Sequence, residues 1–300
     1  MALHDLNAII SEDVQGVITR SRAQWVEEGE RSTKYFFGLE KSNQKKKSLT
    51  KLFNESNDCI TSQDDISQHV VRFYQNLFTS TRPDYKKISD YLRDSKLDEI
   101  DTNTASVIDQ PITTEELNTV IDGFKLNKSP GWDGLTTEFY KHFWGKLKPI
   151  LFRVYCSAID NKNLPPSMRI GIITLIPKPK TAPELCHIKN WRPITLLNTD
   201  YKILTHIIKN RLLISLPTII SKAQSGFQAS RSTSDNLILM YLVLEHFNNN
   251  PEDGGLLLQV DFEKAFDSVE HSFLYQTLEI MGFGNYVIDL IKLVFRGCLG

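Results

Sequence analysis

The chain has 300 residues, 41% of them hydrophobic and 10% aromatic, a composition that excludes wholesale disorder and allows one large domain or two smaller ones. No run approaches the ~20 apolar residues of a membrane span, and the N-terminus lacks the basic region and unbroken apolar core of a secretory signal. Cys59, Cys156, Cys186 and Cys298 lie far apart with no CxxC pair, which suits free thiols in a reducing compartment better than a disulfide frame or a zinc site.

The net charge of -1 hides strong blocks. Arg31 to Lys51 holds seven basic residues against Glu40, and Arg169 to Lys222 holds nine against Glu184 and Asp200. From Asp235 to Asp289 ten acids face the single Lys264. A basic middle and an acidic end suit a polyanionic partner together with a site that holds cations. Solvated charges spread over different faces would give the same counts.

In chain order, the polar stretch to about Asn54 carries one apolar-aromatic cluster, RSTKYFFGLEK, and a basic loop, KSNQKKK. SLTKLFNESNDCITS predicts two short strands around an Asn/Asp-rich turn. In DDISQHVVRFYQNLF, Ile66, Val70, Phe73, Tyr74 and Leu77 fall on one helical face, with Asp64 or Asp65 as N-cap. Residues 83–110 are acidic and weakly patterned, a connector with one short helix. PITTEELNTVIDGF has a Thr/Glu start signal and an apolar face at Leu117, Val120, Ile121 and Phe124. KSPGWDG is a turn region entering a helix, and LKPILFRVYCSAIDNK predicts another that stops before Pro165-Pro166. RIGIITLIPK reads as a buried strand and WRPITLL as a second, joined by a basic loop in a long hairpin. A helix capped by Asn198 or Thr199 follows, then another with a Ser/Asp start in SRSTSDNLILMYLVLEHF. GLLLQVD reads as a short apolar strand, after which Asp267 and Glu270 open a helix with Val269, Phe273, Leu274 and Leu278 on its buried stripe and Gly282 at its end. Helices and strands alternate without an even period, which predicts an α+β fold with an antiparallel or mixed sheet.

Four places carry candidate chemistry. Asp261 at the tip of the expected strand could hold a hard divalent ion, which takes oxygen ligands, while Asp267 reads better as a cap. Phe266, five residues on, could wall a pocket beside that ion. Lys178 and Arg192 meet at one end of the hairpin, where two cations could grip phosphates, although such residues are common at hairpin ends. Gly226, Phe227 and Arg231 in QSGFQASRSTSDNL could offer backbone approach, a stacking face and a phosphate donor. Trp132 in SPGWDG could stack on a base or pin its loop to the core. Ordinary loop structure explains the last two places equally well.

Taken together and in order, SPGWDGLTTEFY, LIPKPK, NWRPITLLNTDYKIL, QSGFQASRSTSDN and QVDFEKAFDSVEH resemble successive blocks of the non-LTR (LINE-type) retrotransposon reverse transcriptase. RSTKYFFGLEK and the elements after it resemble the segment preceding that polymerase. The resemblance implies an α+β right-hand polymerase: a mostly helical basic segment over 1–110, fingers with template-path motifs over 111–255, and the start of the palm over 256–300. It implies RNA-directed DNA synthesis by two-metal nucleotidyl transfer, with two Mg2+ ions (Mn2+ as the alternative) about 4 Å apart. By the family's pattern Asp261 is the first metal-binding aspartate, and the Phe262 carbonyl adds a ligand. Phe266 is the bulky residue that collides with a ribose 2′-hydroxyl, Lys178 and Arg192 hold the nucleotide phosphates, and Trp132, Gly226, Phe227 and Arg231 line the template path. The implied partners are an RNA template, a DNA primer and dNTPs, with no membrane, in the nucleus or cytoplasm. The family's second catalytic block, an aromatic-x-Asp-Asp turn, does not occur before the chain stops at FRGCLG, so the expectation is a fragment inactive alone. A non-catalytic nucleic-acid-binding module or an inactive remnant is the alternative.

Overall fold

The computed structural model describes residues 49–181, 183–228, 231–253 and 255–296; the RSTKYFFGLEK cluster and the KSNQKKK run lie outside these. The protein is mostly helical, with two small two-stranded sheets. Its described residues divide into two compact units, the smaller built from 49–76 and 174–194, the larger from 77–173 and 195–296.

In the smaller unit β1 (Leu52–Phe53) and β2 (Cys59–Ile60) pair antiparallel, Leu52 opposite Ile60, as the turn chemistry predicts. Asn54 closes the turn by accepting from the Asp58 amide, and Asn57 takes the left-handed conformation that Asn tolerates. Helix α1 (Gln63–Phe78) buries Ile66 and Tyr74 on the expected face. Asp64 and Asp65 sit inside its first turn, not at its cap, where they still complement the helix dipole. The loop between the long strands folds over this unit: Trp191 and Ile188 are buried, and the Trp191 indole donates to the Leu185 carbonyl at 2.8 Å.

The long hairpin is formed by β3 (Gly171–Pro177) and β4 (Trp191–Leu197). Contrary to the buried-strand expectation, β3 alternates between half-buried and exposed residues, leaving Ile172 and Ile176 in solvent. A two-stranded sheet can be covered on one face only, so an all-apolar run need not be buried on both.

The larger unit is a helical core. The acidic stretch 83–110 forms two helices, α2 (Tyr85–Asp94) and α3 (Thr102–Ile108), not one. Asp84 accepts from Lys86 and Lys87, Asp101 accepts from Thr104, and Ile88, Leu92 and Ile108 point inward. Helix α4 (Thr114–Gly123) starts with the reciprocal Thr113–Glu116 capping box and buries Leu117, Val120 and Ile121. Helices α5 (Thr137–His142) and α6 (Trp144–Asp160) follow the SPGWDG turn, and α7 (Thr199–Ile219) follows β4 with Asn198 as N-cap. The core is closed by α10 (Asn285–Phe295), which sequence periodicity did not single out; it buries six residues, among them Val287, Ile288 and Leu290. Its first turn is completed from afar, since Asp109 accepts from the Val287 amide at 2.9 Å. A Cβ on Gly284 would lie 2.1 Å from that carboxyl carbon, so a larger residue there would displace the Asp109 side chain from this bond.

Three expectations near the C-terminal end are corrected. GLLLQVD forms no strand: Leu256, Leu257, Leu258 and Val260 are each at least 64% exposed. A strand persists only where a neighbour takes its backbone hydrogen bonds, and no described residue pairs with this one. Helix α9 spans His271–Ile280, so Asp267 does not begin it; Glu270 is its N-cap residue, with no side-chain cap bond. On the expected stripe Val269 is 46% exposed, Leu274 and Leu278 pack partly buried against the core, and Gln276 is the buried residue. Gly282 does end the helix, at φ +84°, with the Phe283 amide donating to the Leu278 carbonyl at 3.0 Å.

Helix α8 (Thr233–Asn249) forms as predicted, with a Ser232–Asp235 capping box. It is apolar on every side yet has no buried residue; Leu237 to Leu244 are all at least 42% exposed.

Candidate functional site

In the smaller unit the turn of the hairpin positions Lys178. Its amide donates to the Asn190 carbonyl at 2.9 Å, and its ammonium donates to the Lys189 carbonyl at 2.8 Å, holding the side chain along the loop. Arg192 stands on β4 with its side chain exposed. Lys180 pairs with Glu184 at 3.5 Å, and the Glu184 carboxyl is held below the ordinary range chiefly by the Thr181 hydroxyl.

In the larger unit the SPGWDG turn is bound to the start of α7. Gly131 lies so close to Asn198 that a Cβ would stand 2.0 Å from the Asn198 Oδ1. Trp132 donates its indole N–H to the Ser167 carbonyl at 3.2 Å, and Asn198 donates to the same carbonyl at 3.0 Å. The Trp132 ring is nevertheless 49% exposed, so one side chain both pins the loop and presents a face. Lys202 donates to the Ser129 carbonyl at 3.3 Å, and Thr199 donates to that of Leu135 at 2.9 Å. Burial pushes the Asp200 carboxyl up, with Asp133 adding to the shift, and burial pulls the Lys202 ammonium down. Sequence reading placed Asn198 only as a helix cap; its role as an anchor of this turn has a signal in an Asn immediately after a strand and before a helix.

The QSGFQASRS segment is a second built loop. Arg231 donates to the carbonyls of Ser221 and Gln224, each at 2.6 Å, and to that of Ile220 at 3.4 Å. Its guanidinium therefore closes the loop onto the end of α7. Asn236 donates to the Ser225 hydroxyl at 2.8 Å. Gly226 needs no missing side chain, because a Cβ there would meet only the Gln224 amide nitrogen at 3.6 Å. Phe227 projects from the loop, 92% exposed, with φ +60°.

Asp261 lies in an exposed irregular segment that leads into a turn over 263–268. The turn is closed by the amides of Asp267 and Ser268, which donate to the Lys264 carbonyl at 2.9 and 3.0 Å. Phe262 and Phe266 are 78% and 82% exposed. The Phe266 ring meets Phe227 edge to face, centroids 5.8 Å apart. The structure thus brings together one residue of the expected template path and the one expected beside the sugar. Past the turn, Glu270 accepts from the Ser80 hydroxyl at 2.7 Å and from the Thr81 amide and hydroxyl at 2.8 Å. Those bonds, led by Ser80, hold its carboxyl below the ordinary range. A carboxylate oxygen at Asp261 suits a hard divalent ion, but no three His, Cys, Asp or Glu side chains gather into a metal site among the described residues. One carboxylate does not make a site for two ions.

Not every basic residue is available to a polyanion. Arg211 is 6% exposed and donates to both Glu116 oxygens, at 2.6 and 2.8 Å. It also donates to the carbonyls of Ile108, Gln110 and Pro111 and lies over the Tyr286 ring.

Residues 176–297 match the family described as reverse transcriptase (RNA-dependent DNA polymerase). The chain is 36% identical, over 94% of its length, to the transposon TX1 uncharacterized 149 kDa protein of Xenopus laevis. It is 28% identical over 57% of its length to the Pol polyprotein of the type-2 retrotransposable element R2DM of Drosophila melanogaster. It is 29% identical over 53% to the RNA-directed DNA polymerase from mobile element jockey of the same fly. The chain spans only 21%, 15% and 17% of these three relatives. No described helix is long and apolar enough to cross a membrane.

Proposed function

We propose that this chain, which carries a reverse transcriptase domain homologous to the polymerases of non-LTR retrotransposons, is the fingers and first palm segment of an RNA-directed DNA polymerase. The observation that carries this reading is the matched region itself: 176–297 contains Lys178 and Arg192 for the phosphates, Asp261 for the metal and Phe266 for the sugar. On the same reading, residues 1–110 are the segment upstream of the polymerase, 111–255 the fingers and 256–300 the palm start.

In this reading Lys178 and Arg192 hold the triphosphate of an incoming deoxynucleotide, the Arg by its planar fork and the Lys as a compact charge. The Lys178 bond to a carbonyl sets the reach of its side chain from the hairpin turn. Asp261, with the Phe262 carbonyl, offers oxygen ligands to a divalent ion. Such ions, when bound, neutralise the phosphates and favour attack by the primer 3′-hydroxyl. Phe266 excludes a ribose 2′-hydroxyl. The half-exposed Trp132 ring, Gly226, Phe227 and the loop that Arg231 closes border the template strand. RNA template, DNA primer and dNTPs are the corresponding partners.

The test uses the polypeptide that joins this chain to the in-frame sequence following it, assayed for magnesium-dependent primer extension on RNA. Asp261→Ala is expected to abolish synthesis; undiminished extension would refute the metal-ligand role. The following sequence is expected to supply an aromatic-x-Asp-Asp turn. Its absence over several hundred codons would overturn the reading of an intact polymerase.

A further inference from the structure

The residue that excludes the 2′-hydroxyl does not hold its own position. Phe266 is 82% exposed, so no core packing selects its rotamer. Its one ring partner among the described residues is Phe227, 39 positions earlier in sequence, at 5.8 Å and an interplanar angle of 86°. Phe227 is 92% exposed and has no core contact that would explain an apolar ring on the surface. It also adopts φ +60°, a conformation that costs a bulky residue free energy and persists only where surroundings impose it. Arg231 ties the start of the same loop to its end, donating to the carbonyls of Ile220, Ser221 and Gln224. On the other side Lys264, at φ +50°, and its carbonyl bonds to the amides of Asp267 and Ser268 fix the turn that aims Phe266. Two hydrogen-bonded turns thus present the two rings as an edge-to-face pair.

We infer that Phe227 is a specificity-determining positioning residue: its ring fixes the orientation of Phe266, and Arg231 in turn fixes Phe227. This rests on the reading of Phe266 as the sugar-excluding residue. An unbraced Phe266 would swing among rotamers and admit a ribose part of the time. Braced from the side, its ring keeps one orientation. The same contact joins the loop expected beside the template to the residue beside the sugar, so displacement of Phe227 by a template strand would alter which sugar is accepted.

Two measurements test this. In the present chain, para-fluorophenylalanine at position 266 gives a fluorine resonance that is expected to move toward the solvent-exposed value in Phe227→Ala and Arg231→Ala, and to be retained in Phe227→Tyr. An unmoved resonance in Phe227→Ala overturns the proposal. Because Phe227 lies on the surface, that variant keeps its fold, and an unchanged melting temperature verifies it. In the primer-extending polypeptide, the ratio of kcat/KM for dNTP over rNTP is expected to fall roughly two- to tenfold in Phe227→Ala, the scale an edge-to-face pair contributes. Phe227→Tyr is expected to restore it. A ratio unaltered in Phe227→Ala while Phe266→Ala abolishes discrimination overturns the bracing and leaves the sugar reading standing. Discrimination unaltered in Phe266→Ala overturns both.

Discussion

Gly131 shows how one missing side chain places a loop. With Asn198 Oδ1 only 2.0 Å from where a Cβ would sit, Gly131→Ala must push the SPGWDG turn off the start of α7. Such overpacking costs typically 1–3 kcal/mol, so its urea midpoint is expected to fall by the corresponding amount. Trp132 would also lose its bond to Ser167. Arg211 is the converse case, a charge kept out of water by five donated bonds. Removing it strands three carbonyls and leaves Glu116 only its Thr113 partners, and each buried polar group left unpaired costs on the order of 1–3 kcal/mol. Arg211→Ala is therefore expected to destabilise strongly in chemical denaturation. Arg211→Lys should recover little, because a point charge cannot replace a planar fork.

Helix α8 and the segment after it concern surface more than stability. Both expose large apolar side chains around their whole circumference, and neither contributes to the core. Leu258→Lys is expected to leave the unfolding free energy within about 0.5 kcal/mol while lowering the binding of a hydrophobic dye. A marked loss of stability would show that the segment is packed. Thr113, by contrast, opens a helix that buries three residues, and Thr113→Ala should cost about 1 kcal/mol through loss of the capping box. The difference between the two elements is burial, which helix propensity does not report.

For the molecule as a whole, charge is the property most open to titration. Glu270 has a lowered carboxyl pKa, so its stabilising bonds to Ser80 and Thr81 are fully present above the ordinary glutamate range and are lost as pH falls through the lowered value. Asp200 has the opposite sign: its raised carboxyl favours the fold below the ordinary aspartate range, and that contribution disappears as pH rises through the raised value. Glu270→Gln is thus expected to flatten the acid side of a stability-pH profile, and Asp200→Asn to raise stability near neutrality; thermal melts across pH check both. RNA binding, if it follows the basic block, should weaken with salt at about 0.7 log units per phosphate contacted. Exposed Arg192 is expected to contribute one such contact and buried Arg211 none, which Arg192→Ala and Arg211→Met would separate by their salt slopes.

The homology to non-LTR polymerases was legible from motif order alone, because SPGWDG, LIPKPK, NWRPITLL, QSGFQASR and QVDFEKAFD are contiguous words whose spacing survives without coordinates. Local elements were legible for a related reason. The Thr113–Glu116 and Ser232–Asp235 boxes, the Asn-rich turn after Phe53 and the glycine after α9 act over three or four residues, within reach of sequence reading. Even the two helices of 83–110 had their Asp caps in plain view at Asp84 and Asp101. Long-range partnership was not legible. Nothing in β3 says that only one of its faces is covered, and nothing near Asp109 points to Val287 or near Glu270 to Ser80. The same holds for Phe227 and Phe266, which meet because separate turns aim them at one spot. Backbone pairing, burial and side-chain contact depend on what the chain brings back from many residues away, and folding alone supplies that information.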